Sequence, residues 1–82
     1  MPTLFRVLGF RVLIFTDDHN PPHVHVEKTG GPSCVFVLNC PRGPLRLREV
    51  KGRMSDQQIR RLAERIEPEI ERLCGEWRNI HG

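Results

Sequence analysis

The hydrophobic period of this chain changes once, at Gly52, and that change constrains the fold more than any other feature. Before it, apolar residues alternate with polar ones over short runs. After it, they recur every three or four residues. Ile59, Leu62, Ala63, Ile66, Ile70, Leu73, Trp77 and Ile80 make one apolar stripe on a helix. Ser55 followed by Gln58 is a capping-box pattern that sets the helix start. Pro68 falls inside the stripe. An interior proline removes a backbone hydrogen bond and costs about 3 kcal/mol, so a kink or two short helices end to end is expected there.

Five runs upstream read as strands separated by turns. Leu4–Val7 and Phe10–Phe15 flank Gly9 and form a hairpin or one bulged strand. Both faces of the second run are apolar, which places it centrally in a sheet. Thr16–Pro22 is a turn rich in Asp, Asn and Pro. His23–Lys28 alternates, with His23, His25 and Glu27 on one face and Val24, Val26 and Lys28 on the other. Cys34–Leu38 is a short apolar strand. Leu45–Val50 alternates again, Leu45, Leu47 and Glu49 opposing Arg46, Arg48 and Val50. The expected fold is α+β: a small antiparallel sheet of four to five strands, packed against a C-terminal helix, in a single domain over residues 1–82.

A chain of 82 residues buries only roughly 60–65% of the surface its unfolded state exposes. A deep substrate cavity does not fit such a chain. A site would be an open cleft, or one completed by a partner or by a second copy in a homodimer. No apolar run approaches the roughly 20 residues of a membrane span. The start Met1-Pro2-Thr3-Leu4-Phe5-Arg6 lacks a secretory pattern. Cys34, Cys40 and Cys74 are odd in number and without paired short spacing, so reduced, buried thiols in a cytoplasmic protein are expected.

The positive charge is concentrated. Between residues 42 and 61 seven basic residues (Arg42, Arg46, Arg48, Lys51, Arg53, Arg60, Arg61) face two acids, Glu49 and Asp56. Such a stretch suits a phosphate backbone or an acidic protein, and it also suits a plain solvated face.

Chemistry concentrates in Asp17-Asp18-His19-Asn20-Pro21-Pro22-His23-Val24-His25-Val26-Glu27, which holds three of the four histidines. Residues two apart on a strand point the same way, roughly 6–7 Å apart. His23, His25 and Glu27 therefore form a row. Three readings stay open. His-x-His with Asp17, Asp18, His19 or Glu27 offers metal ligands, though no fuller zinc pattern completes the set. Two imidazoles, or an imidazole and a carboxylate, can also run acid–base chemistry on a phosphodiester without a metal. Arg11, Lys28, Arg46 and Arg48 would then contact the phosphate. In the third reading Asp and Asn cap the turn, the prolines stiffen it, and the histidines serve as structural or interface residues.

Pro2-Thr3-Leu4-Phe5-Arg6, Gly9-Phe10, Asp18-His19 and Pro21-Pro22-His23-Val24-His25-Val26, with a C-terminal helix reaching Trp77, resemble the small bacterial DUF4160 family. The Pro-Pro-His-Val-His-Val core is the specific part. Members of that family are typically encoded beside a DUF2442 protein, and the pairing is treated as a toxin–antitoxin module with the DUF4160 member as toxin. The resemblance thus implies a DUF2442-like antitoxin as partner and RNA or the translation apparatus as target. It carries Asp18, His19, Pro21, Pro22, His23 and His25 over as motif positions. The segment from Cys34 to Arg46 does not contribute to the resemblance. The leading expectation is a toxin acting on RNA or the translation apparatus; if it is an enzyme, it is a metal-independent ribonuclease without a cofactor. His23 and His25 would be its acid–base pair, Asp18 or Glu27 the orienting carboxylate. The alternative is a non-catalytic module that binds a protein partner or nucleic acid.

Overall fold

A computed structural model of the chain describes residues 4–81. Pro2 and Thr3, which contribute to the family resemblance, lie outside the described residues. Five strands come first: β1 (Phe5–Val7), β2 (Phe10–Leu13), β3 (His23–Glu27), β4 (Ser33–Val37) and β5 (Arg46–Lys51). They form one antiparallel sheet in sequence order, so each strand pairs with its chain neighbours and β3 lies in the middle. The expected α+β sheet-and-helix architecture is what the chain adopts.

The helical stripe splits at the proline, as its chemistry requires. α1 (Asp56–Ile66) leads into a 3₁₀ turn at Glu67–Glu69 and then α2 (Ile70–His81). Ser55 Oγ accepts the Gln58 amide at 3.1 Å and closes the first turn. Leu62, Ile66, Ile70, Leu73 and Trp77 are buried against Phe10, Val12, Val24, Val26 and Phe36 from the sheet. One apolar face of the sheet is thereby covered. Its other face carries the histidines.

Gly9 marks a hairpin. Val7 pairs with Phe10, leaving Leu8 and Gly9 as a two-residue loop, both with positive φ (49° and 82°). That is the type I′ geometry which matches strand twist and favours Asn-Gly. A branched residue such as Leu costs about 1–2 kcal/mol in this backbone region. Leu8 is 46% exposed and gains little by burial. Leu8→Asn is therefore expected to raise stability by about 1 kcal/mol in urea unfolding; an unchanged midpoint would contradict the strain.

β5 departs from its expected alternation. The register runs Val37↔Arg46 and Phe36↔Leu47, then Val35↔Glu49, so Arg48 is the extra residue of a bulge. The bulge puts Leu47 opposite Phe36 and Val50 opposite Cys34, on the helix side, while Glu49 joins Val35 on the histidine side. Leu47 and Glu49 do not share a face, because one inserted residue reverses every later side chain. All six residues of β5 are exposed.

The cysteine expectation is also corrected. Cys40 and Cys74 form a disulfide, with Cα atoms 5.9 Å apart, that ties the β4–β5 connection to α2. Only Cys34 stays a thiol. The pair is 34 residues apart in sequence, so it is created by the fold and leaves no local spacing to read.

Candidate functional site

The site is built where the β2–β3 turn meets the start of β3. Phe15 and Asp18 close the turn from both sides: the Asp18 amide donates to the Phe15 carbonyl (3.2 Å), and the Phe15 amide donates to Asp18 Oδ2 (3.0 Å). Asp and Asn favour such local bonds, which is why this stretch turns. The carboxylate of Asp18 is thereby fixed over the histidine face.

Two histidines of β3 converge on it. His25 Nε2 lies 3.0 and 3.1 Å from the two Asp18 oxygens. His23 Nε2 lies 3.4 Å from Asp18 Oδ1. His23 Nδ1 is 2.8 Å from the Pro21 carbonyl. A carbonyl only accepts, so Nδ1 carries the proton and donates it. In neutral His23 the Nε2 lone pair consequently faces the carboxylate. Of the motif prolines, Pro21 thus supplies the acceptor that fixes the His23 tautomer. Pro22 accepts the Leu38 amide at 2.9 Å and extends the β3–β4 pairing.

Aromatic rings pack behind the two imidazoles. Phe15 packs on His25 with ring centroids 4.4 Å apart, and the two imidazoles meet edge to face at 5.1 Å. Trp77 of α2 reaches His23 at 5.2 Å and stacks on His81 at 3.9 Å. His23 is a buried polar residue, 6% exposed, and its Nδ1–H is satisfied by the Pro21 carbonyl.

Burial raises the Asp18 carboxyl, but the hydrogen bond from His25, the Phe15 amide and the charges of His25 and His23 outweigh it, leaving the group below its ordinary 3.8. A depressed folded-state value contributes stability that is complete above the unfolded value and lost as pH falls through the lower one. Unfolding midpoints measured from neutral pH down to pH 2 are expected to fall more steeply in the wild type than in Asp18→Asn. Parallel curves would contradict this. Cys34 is different in kind: burial alone pushes its thiol up to about 11, which leaves it an inert core group.

The remaining candidates spread out from this point. The trio lies in an open cleft of about 290 Å³, whose lining also includes His19, Glu27, Arg48, Glu49 and Lys51. Glu27 pairs with Arg11 across β2–β3, Nη2 to Oε1 at 3.5 Å, and both are about two-thirds buried. Arg11 is thus taken up by Glu27. Lys28 stands over the Phe10 ring at 5.6 Å and does not line the cleft. Arg46 sits beside Val37 at the end of β5, also outside the lining. Arg48 lies in the cleft wall, placed there by the bulge. Lys51, Phe15 and Trp77 join the site without having been site candidates in the sequence. Their contribution depends on β5 register and on helix docking, neither of which has a local signal.

Chemically, the cleft offers a carboxylate and two imidazoles whose ligating atoms all lie within 4.8 Å of one another. Two cations stand on its wall. Such a centre can move protons, hold a cation or orient a phosphate. Among known families, the model for DUF4160, described as a domain of unknown function, matches residues 9–78. No curated protein and no solved structure matches the chain.

Proposed function

The chain belongs to the DUF4160 family, and on that premise we propose that it is the toxin of a bacterial toxin–antitoxin pair that cleaves RNA at the Asp18–His23–His25 centre. The observation that carries the reading is the convergence of both Nε2 atoms on one fixed carboxylate at the floor of an open cleft. RNA cleavage needs a 2′-oxygen stripped of its proton to attack phosphorus. It also needs a proton delivered to the 5′-oxygen as its bond to phosphorus breaks. Both demands fall on the trio. The charged phosphorane needs a cation, and Arg48 on the cleft wall supplies it, while Lys51 beside it pairs with Glu49 at 3.6 Å. Purified protein incubated with single-stranded RNA tests the reading: the wild type yields fragments, and protein lacking the trio does not.

A second reading, partner docking, is favoured by β5. This edge strand pairs only with β4. It exposes Leu47 (40%) and Val50 (37%) among Arg46, Arg48 and Lys51. An open edge of this kind accepts an extended strand. A second copy would bring basic edge against basic edge, so the fitting partner is a different chain with acidic and apolar residues, as a DUF2442-like antitoxin would need. Leu47→Glu is expected to abolish co-purification with that partner while leaving RNA cleavage intact; retained co-purification would remove β5 as the dock.

A further inference from the structure

We infer that Asp18, His23 and His25 form a binding site for one divalent transition-metal ion of the zinc class. The argument starts from His23. Its Nδ1–H is committed to the Pro21 carbonyl at 2.8 Å. In neutral His23 the Nε2 then presents a lone pair to Asp18 Oδ1 at 3.4 Å. Two electron-rich atoms held face to face in a largely buried place repel unless a cation lies between them. A proton on His23 can serve, and so can a metal ion. The geometry points to the metal.

Three observations agree on this. A tetrahedral zinc site with bonds of about 2.0–2.1 Å sets neighbouring ligand atoms about 3.3–3.4 Å apart. The Asp18–His25 and Asp18–His23 separations are 3.0 and 3.4 Å. The third pair lies within 4.8 Å. Metal-bound histidines characteristically donate their other ring N–H to a backbone carbonyl, and His23 does so to Pro21. Finally, both Nε2 atoms point at Asp18, so the three ligand atoms converge on one place.

Two imidazoles and one carboxylate select zinc, cobalt, nickel or iron(II) over magnesium or calcium, which prefer all-oxygen shells. Three protein ligands leave at least one position for water or a substrate oxygen, on the side where the cleft opens. Binding of the ion rests on the geometry alone. Its service as the group that activates the nucleophile rests on the proposed RNA cleavage.

Calorimetric titration with Zn²⁺ tests the inference, using tag-free protein stripped with a chelator and kept oxidised at Cys40–Cys74. The expected result is one ion per chain, with Asp18→Asn and His25→Ala each weakening binding by at least about 100-fold and His19→Ala leaving it unchanged. Absence of a one-to-one site in the folded wild type overturns it, as does wild-type affinity in either trio variant. Parallel RNA assays separate the two claims. Cleavage by stripped protein that binds no Zn²⁺ removes the metal and leaves the ribonuclease. Stoichiometric Zn²⁺ without cleavage removes the ribonuclease and leaves the metal.

Discussion

Replacing His25 by alanine is expected to slow RNA cleavage by about 10²–10⁴-fold, the range that a positioned proton-transfer or nucleophile-activating group contributes. His25 is the residue on which the site's geometry depends most. Its Nε2 meets both oxygens of Asp18, and its ring separates Phe15 from His23. Asp18→Asn should produce a comparable loss, because the amide keeps the shape but not the charge that both imidazoles face. His19→Ala should leave the rate within a few fold, since His19 lines the cleft without joining the trio. Arg48→Gln should lower kcat more than it raises KM, because Arg48 faces the charge that develops on the phosphorane. Equal cleavage by the wild type and His25→Ala would remove the trio from the chemistry.

Reduction of the Cys40–Cys74 disulfide carries the largest expected effect on stability. The bond closes a loop of 34 residues. Constraining a loop of that length in the unfolded chain is worth about 4 kcal/mol in the loop-entropy treatment, and about 2–4 kcal/mol is typical of measured cases. Small domains have little stability to lose. The paired Cys40→Ser, Cys74→Ser variant is expected to melt about 10–25 °C below the oxidised wild type. A drop below about 4 °C would contradict the clamp. The consequence extends to the site. Cys74 and Trp77 are three residues apart on α2, hence on one helix face, and Trp77 packs against His23. Loosening the β4–β5 connection from α2 should reduce activity before it unfolds the sheet. Cys34, buried with its thiol pushed up to about 11, should resist alkylation until the chain unfolds.

The helix was legible because its signals are local: a 3–4 spacing, a Ser55 cap and a proline at the break. The histidine face was legible for the same reason, since strict alternation from His23 to Glu27 assigns sides without tertiary knowledge. Asp18 could be singled out as an orienting carboxylate, but not the fact that both Nε2 atoms aim at it, which depends on how the turn folds back over β3. Alternation misled at β5, where the bulge at Arg48 reverses the later residues and brings Lys51 to the cleft. The disulfide was hidden by its sequence separation. Trp77 read as a core residue, which it is at 5% exposure, yet it also packs against His23. Charge density was a poor guide to the cleft. Of the basic candidates, Arg11 pairs with Glu27 and Lys28 covers Phe10, and only Arg48 lies in the cleft.

The central claim is that Asp18 and His25 act as parts of one catalytic centre. A double-mutant cycle on RNA cleavage tests it most directly, comparing the wild type, Asp18→Asn, His25→Ala and the double variant under identical conditions. The account predicts that the double variant is about as slow as the slower single variant, because either substitution already disables the shared centre. Losses that multiply, or a wild type that leaves RNA uncut, would contradict it.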